Sequence, residues 1–588
     1  MRFFTVLHLA CLLASSVCAS AQDTEPTHWI EVYDLRSLTA SALESGGGVN
    51  MIPSGKFAIG GMEPVHLDIG IEDPAWTLSD FELESLARAF IDVCPFPEEA
   101  TIRVSAGFLT LDGSVAQHER TEQWTRALYD QLHRTASYEL YRLERVPSDW
   151  TSVVTAQQVQ AWLTSSGTVP DFEVRCPLGK RALLGARASK AILSDYDTEK
   201  AQYQVVVDPW ILPIIDGIDL GAIAVETSDG RLFVRQWGLA SHQVHEPRRF
   251  HLLETEPHVL MLPTVEDVQW TSSGILEDGG GMVIAHDAMA GGTRLLVLRK
   301  DEEPANDLGF IPVGVLTAAP LVSWPWLTRD VLPSGGMSPR DPGLEFSEQA
   351  ALQQVDLIWG LGDATREAGV EIAWRIVNDA AFPMATSSSL GAAKSFVEDW
   401  EERVARTISI DVRYGQVDVQ DWKEQRAQSA RAEDWLHLLD HRIVTQARNG
   451  DSTYVRGILS TWYLHDYDVD VGNSGIYPAA PYVSDSETGM KFWCCPQLAP
   501  GGTIQAWTHL GVAAEVAPLE VYEAHFPYAP AEKASPLFRS GRIELPHVEI
   551  VNEVQNAIHE SGEWSPLVVS RMDALDRVLV AVIRMTVD

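Results

Sequence analysis

The chain has 588 residues, 45% hydrophobic and 21% charged, which is enough apolar material for several cores and too much for a disordered protein. Its 82 acidic residues against 44 basic ones leave a formal net charge of -38. That balance argues against nucleic acid as a partner, because phosphate binding needs a cationic face, and against docking on an anionic membrane.

The start of the chain reads as an address. Met1-Arg2-Phe3-Phe4 is short and positive, and Thr5 to Val17 is an apolar stretch too short to span a bilayer, which needs about 20 residues. Ala19-Ser20-Ala21 has the small-x-small form of a cleavage site, so residues 1–21 are expected to be an export signal. Ser16-Val17 ahead of Cys18 is not a lipidation motif, and no other apolar run approaches transmembrane length.

Several elements follow in order. His28 to Leu35 reads as a strand. Ser79-Asp80-Phe81-Glu82 opens a helix whose apolar face is Phe81, Leu83, Leu86, Ala87, Phe90 and Ile91, and Cys94-Pro95 stops it. Thr101–Val104 and Phe108–Leu111 alternate like strands about Ser105-Ala106-Gly107. His118–Leu132 carries Trp124, Leu128 and Leu132 at helical spacing, and Ser137–Leu143 alternates again. The order is β-α-β-β-α-β, a small α+β domain with its helices on one sheet face.

Residues 146–304 change character. They are rich in Val, Ile, Thr and aromatics, broken by Gly, Pro and Asp, with Val205–Val207, Arg231–Val234 and Leu295–Leu298 as strands and Asp278-Gly279-Gly280-Gly281 as a turn. One short helix, Thr155–Leu163, lies near the start of this part. The same sequence of events is expected again: helices at Phe346–Leu361 and Ala392–Arg403, strands at Val370–Ile376 and Thr407–Tyr414, then strand-like Ile504–Trp507 and Val578–Ala581 around Pro500-Gly501-Gly502.

Short matches tie the two stretches together. Asp195-Tyr196-Asp197 recurs as Asp466-Tyr467-Asp468, and Asp149-Trp150 as Asp421-Trp422. Arg134-Thr135-Ala136-Ser137 recurs as Arg406-Thr407-Ile408-Ser409. Pro257-His258-Val259 recurs as Pro546-His547-Val548, and Pro53-Ser54-Gly55 as Pro333-Ser334-Gly335. The order is kept, so the chain reads as two halves, about 28–304 and 310–588. The expected fold class is α+β: a tandem duplication of a small β-α-β-β-α-β domain followed by a mostly antiparallel β-domain. The boundaries are 1–21 for the signal, 22–145 and 146–304 for the first pair, and 305–415 and 416–588 for the linker with the second pair.

Removing the signal leaves four cysteines, Cys94, Cys176, Cys494 and Cys495, too few for a disulfide framework in so long a chain. Cys494 and Cys495 are neighbours in the strand-like run Met490–Cys495 and point to opposite faces, so core positions are expected.

In half one, the Ala100-Thr101-Ile102-Arg103 and Gly107-Phe108-Leu109-Thr110-Leu111 strands and the His118-Glu119 helix start resemble a secretin N-domain of bacterial envelopes. In half two, Tyr463-Leu464-His465-Asp466-Tyr467-Asp468-Val469-Asp470-Val471 is similar to a stretch of secretin-like proteins, and Gly489-Met490-Lys491-Phe492 with Pro496 loosely resembles that family's G-x-x-L-x-V-x-P stretch. The resemblance implies a ring-building envelope protein. The chain departs from it in two ways: the pair of modules is duplicated, and no amphipathic membrane-lip segment stands out.

No G-x-S-x-G, Walker loop, H-E-x-x-H, paired C-x-x-C or Rossmann loop is present. The nearest metal candidates, His242, His245, Glu246, His251 and His258, include Pro247 directly after the Glu, which breaks a zincin helix, and read as polar loop and strand residues. Asp466, Asp468 and Asp470 would share one strand face, either as a hard-cation site or as a solvated acidic face. Trp124, Trp150, Trp400 and Trp422 sit at or near matched positions, which favours core roles over sugar stacking. No catalytic, cofactor-binding or metal residue is assigned, and no cofactor is expected. The expectation is an exported, non-enzymatic envelope protein with protein partners, no nucleic acid and no stable membrane span; a homo-oligomer is possible. The alternatives are a carbohydrate-active or other hydrolase on a β-rich scaffold, and an outer-membrane secretin channel.

Overall fold

A computed structural model of the chain describes residues 29–34, 84, 87, 101–105, 108–132, 134–143, 151–166, 168–179, 181–201, 204–251, 259–286, 293–300, 311–312, 316, 354–367, 374–377, 380–383, 390–469, 479–499, 501–525 and 540–588. The export signal over 1–21, most of the helix expected from Ser79, Cys94, Trp150 and His258 lie outside them.

The chain divides into two compact units. The smaller holds a three-stranded antiparallel sheet, in which Phe108–Gly113 pairs with Trp29–Asp34 on one side and Thr101–Ser105 on the other. Helix α1, Val115–Leu132, follows. Ser114 and Gln117 form a capping box, the Ser114 N–H donating to Gln117 Oε1 at 2.8 Å. Ile102, Leu109, Leu111, Trp124 and Leu128 are buried, as their spacing at periods of two and four predicts.

The larger unit is built on two long sheets. One has eight antiparallel strands: β1 (Arg181–Ala201), β2 (Gln204–Glu226), β3 (Leu232–Gln243), β4 (Thr264–Leu276), β5 (Thr453–Val469), β6 (Ala479–Leu498), β7 (Ile504–His525) and β8 (Ser540–His559), lying side by side in chain order. The other runs Trp564–Met572, Arg577–Val587, Thr407–Asp418, His441–Arg448, Gly281–His286, Thr293–Lys300, Thr135–Leu143, Phe172–Pro177, with the short Val153–Val154 beside Gly281–His286. One face of each sheet meets the other in a continuous core. Tyr138, Leu296, Ile410 and Ile583 come from the second sheet, and Leu220, Val234, Val455, Phe492 and Leu510 from the first.

Helices cover the outer face of the second sheet. Helix α2, Ala156–Ser166, packs Val159 and Trp162 against Tyr141, Leu295 and Val297. It begins with a second capping box, in which the Gln158 N–H donates to Thr155 Oγ1 at 3.2 Å and its side chain accepts from the Thr155 N–H at 2.8 Å. Further along, Trp422 and Trp435 meet edge to face with centroids 4.9 Å apart over Val578, Val580 and Val582. The larger unit also holds helices α3 (Gln354–Glu367) and α4 (Leu390–Val404) beside a three-stranded sheet of Ile311–Pro312, Ala380–Pro383 and Trp374–Val377. Gly360 of α3 faces Phe396 of α4 so closely that a Cβ there would sit 2.3 Å from the ring. Helix α5, Val419–Gln428, is capped by Asp418, which accepts from the Gln420 N–H at 2.7 Å.

The expected α+β class is corrected: the fold is mostly β. Ser137–Leu143 and Thr407–Tyr414, read as strands of small β-α-β-β-α-β domains, instead form parts of the strands Thr135–Leu143 and Thr407–Asp418 in the second long sheet. There Thr135–Leu143 lies between Thr293–Lys300 and Phe172–Pro177, and Thr407–Asp418 between His441–Arg448 and Arg577–Val587. Both strands carry apolar residues on both faces, because the other sheet buries one side and helices bury the other. Strands of 20 residues and more, about 65 Å when extended, then outweigh the few short helices.

Candidate functional site

The features that could carry function lie on the eight-stranded sheet. Its outermost strands, β1 and β8, each have a ladder partner on one side only among the described residues. Such an edge presents a row of unpaired backbone N–H and C=O groups and is a template for another strand. The edge of β8 is blunted in one part and open in another. Near its start the β7–β8 ladder slips between Glu515 and Ala517 and again between Ala517 and Glu520, and Pro546 removes a donor. From Val548 to His559 the register is unbroken, and Val554 and Ile558 stand 56% and 70% exposed on it.

The far end of the sheet is tied down. Ile192 of β1 and Ile214 of β2 pack in one cluster with Trp462 and Leu464 of β5, Val483 of β6, and Phe250, Leu260 and Leu262 of the hairpin Arg248–His251/Val259–Leu262. Glu544 of β8, buried, accepts from Arg248 Nη2 at 2.7 Å, from Arg248 Nη1, and from the Leu464 N–H at 3.2 Å. Arg248 also donates to the Trp462 carbonyl at 3.3 Å.

A second polar cluster is buried beside Phe233, whose strand neighbours Leu232 and Val234 face the core between the sheets. Asp451, fully buried, accepts from Arg235 Nη2 at 3.1 Å, from Arg448 Nη2 at 3.1 Å and from Ser273 Oγ at 3.4 Å. Both guanidinium carbons lie over the Phe233 ring, at 5.4 and 5.2 Å from its centroid. Burial, opposed by the Asp451 charge and aided by that of Arg448, pushes Arg235 down to about 10. Nothing in this cluster presents a group to an outside ligand, so it reads as a structural clamp.

The residues singled out from sequence do not converge. His242 Nδ1 lies 3.3 Å from Asp216, and Glu246 pairs with Lys190 at 3.1 Å. No group of three His, Cys, Asp or Glu side chains suited to a metal occurs among the described residues. Asp466 is exposed and accepts from the Tyr467 N–H at 2.7 Å; Asp468 lies on the same strand, and Asp470 falls outside the described residues. Cys176, Cys494 and Cys495 are buried free thiols. Cys494 belongs to the core between the sheets and Cys495 to a cluster with Tyr454 and Trp493, so the two do occupy opposite faces. Burial holds both thiols far above their usual range, Cys495 at about 12, which makes them unreactive. Sequence reasoning gave no role to Glu544 or Asp451. Asp451 follows the Asn449-Gly450 pair, whose Gly450 has a φ of +84°, and that turn was the available signal.

Solved structures similar to this chain include several secretins. The chain is 9% identical to the InvG secretin-domain β-barrel of the Salmonella SPI-1 injectisome, over 37% of this chain and 73% of that one, with a TM-score of 0.19. The resemblance is to secretins, and it is weak. The type II secretin GspD of enteropathogenic Escherichia coli is 10% identical over 40% of this chain and 84% of that one, TM-score 0.16. ExeD of Aeromonas hydrophila is 9% identical over 87% and 88%, TM-score 0.16. At these scores the likeness positions no residue of this chain. No family model and no curated protein matches it, and no helix among the described residues is long and apolar enough to cross a membrane.

Proposed function

We propose that the chain is an exported, non-enzymatic protein of the bacterial envelope whose task is protein–protein assembly. The observation that supports this reading is the pair of long edges, β1 and β8, on one antiparallel sheet, each without a second ladder partner among the described residues. Edges of this length are a hazard unless something covers them, and in the β8 segment from Val548 onward no bulge blunts the ladder. The export signal read over 1–21 and the secretin-like stretches around Thr101–Leu111 and Tyr463–Val471 support an envelope setting. The net charge of -38 supports protein partners over nucleic acid.

Fractionation of cells expressing the tagged full chain tests the reading. The expected result is recovery from the envelope or extracellular fraction as a high-mass species, with no turnover of polysaccharides, peptides or phosphoesters. Cytoplasmic recovery would contradict it. So would turnover that vanishes on replacing one acidic or histidine residue while the fold survives.

A further inference from the structure

The ladders of the two halves share one set of registers. In the eight-stranded sheet, Ala182↔Ala222 is matched by Thr453↔Cys494, Gly217↔Ser241 by Gly489↔Ala513, and Gln243↔Val265 by Glu515↔Val548. In the second sheet, Thr135↔Pro177 is matched by Thr407↔Arg448, and Gly281↔Val297 by Trp564↔Arg584. The ladders even slip at matched places, between Leu193 and Asp195 in β1 and between Leu464 and Asp466 in β5. Gly179, Gly230 and Gly279, all with positive φ, have counterparts of the same kind in Gly450, Gly502 and Gly562.

By these registers β1 to β4 correspond to β5 to β8, strand for strand. The order within the sheet repeats in the same direction: β1-β2-β3-β4, then β5-β6-β7-β8. The second sheet repeats likewise, as Phe172–Pro177, Thr135–Leu143, Thr293–Lys300, Gly281–His286, then His441–Arg448, Thr407–Asp418, Arg577–Val587, Trp564–Met572. Each sheet therefore contains one internal seam. In the first it is β4 against β5, from Thr264↔Thr461 to Thr271↔Tyr454. In the second it is Gly281–His286 against His441–Arg448, at Ala285↔Val444.

The edges that lack a second partner among the described residues are the counterparts of those seam strands. β8 corresponds to β4 and β1 to β5, so one edge of the chain matches a strand that is already paired, inside the chain, with the match of the other edge. We propose that a second copy of this chain covers each edge head to tail, β8 of one copy against β1 of the next, in the register of the internal seam. Trp564–Met572 then meets Phe172–Pro177 of the next copy in the second sheet. The seam pair Glu266↔Leu459 translates to Glu549 against Ala188 of the neighbour. Such a contact is heterologous: the two surfaces differ, and repeated addition closes a ring or runs on as a filament. The inference rests on the assembly reading above and gives that reading its partner and its geometry.

Cysteine cross-linking tests it in the full-length protein. Glu549→Cys and Ala188→Cys are made as separate variants and as a double variant, oxidised beside the wild type, whose described cysteines are buried, and checked for an unchanged melting temperature. Neither single variant should cross-link with itself. A mixture of the two should give a linked pair, and the double variant a ladder of linked multiples. Moving one cysteine by a residue, to Ser189→Cys, puts the thiols on opposite sheet faces and should lower the yield about tenfold or more. Self-linking of a single variant would show a two-fold contact and overturn the proposal. So would equal yields from the displaced pair, or a multimer by mass that the Glu549/Ala188 pair does not link; in that case assembly stands and its geometry falls. A chain monomeric at every concentration removes both.

Discussion

Glu401 and Ser228 are joined across 173 residues of sequence. The Glu401 carboxylate, near the end of α4, accepts from the Ser228 N–H at 2.9 Å on Oε2 and 3.2 Å on Oε1, and from the Ser228 hydroxyl, in the turn between β2 and β3. Burial pushes Glu401 up to about 7 against the hydrogen bonds from Ser228; Asp229 raises it further and Arg231 opposes.

That shift has a sign. The folded chain holds the Glu401 proton more tightly than the unfolded chain does, so the contribution of this group to stability is fully present below about pH 4.5 and is lost as pH rises through about 7. The loss is on the order of 3 kcal/mol. Glu401→Gln keeps an acceptor for Ser228 and removes the titration. Urea midpoints at acid and mildly alkaline pH should converge between variant and wild type at low pH and favour the variant at high pH. Parallel pH profiles would contradict this.

Gly489 of β6 has a φ of +127°, and a Cβ on it would lie 2.2 Å from the Gly457 carbonyl oxygen of the neighbouring strand. Gly489→Ala should cost about 2–5 kcal/mol from backbone strain and overpacking together. Gly391→Ala, in helix α4 where nothing lies within 4 Å of the added methyl, should be neutral or stabilising by about 0.5–1 kcal/mol. Thermal melts of the two variants check the contrast.

Asp451 is the only carboxylate to which Arg235 has a described hydrogen bond, and it also binds Arg448. Asp451→Ala removes the carboxylate that holds the buried Arg235 guanidinium and should cost about 3–5 kcal/mol, the range for breaking a buried pair. A loss below about 1 kcal/mol, the scale of an exposed pair, would mean that water reaches the cluster.

Trp124 and Trp400 were expected to be equivalent core residues, but they are not equally buried. Trp124 is 3% exposed, while Trp400 is half-buried beside Phe396, with ring centroids 6.2 Å apart. Trp124→Ala should cost about 3–5 kcal/mol. Trp400→Ala should cost less, about 1–2 kcal/mol, read by the same denaturant titration.

Local elements were legible where one face is buried and one wet. The alternation in Thr101–Leu111, the spacing of Trp124, Leu128 and Leu132, and the start of α2 near Thr155 each correspond to an observed element. What hid the architecture was long-range pairing. β2 runs through Pro209, Pro213 and Gly217, residues that ordinarily end a strand, because its ladder to β1 holds it extended; the prolines lie where β3 does not pair, since that ladder begins at Gly217. Thr135–Leu143 gives no sign that its neighbour is Thr293–Lys300, whose paired residues lie 150 or more positions away. Of the candidate site, the sequence showed Asp195 and Asp466 as matched residues. That each follows a slipped register, or that β1 and β8 end a sheet, is visible only once the strands are paired.

Native mass of the chain from residue 22 onward, measured with and without detergent, is the most direct test of edge-to-edge assembly. A discrete multiple of the chain mass that persists on dilution, and that is lost when charges are placed at Val554 and Ile558 on the exposed β8 edge, is the expected result. A single-chain mass under every condition, in a protein that melts cooperatively, would contradict it.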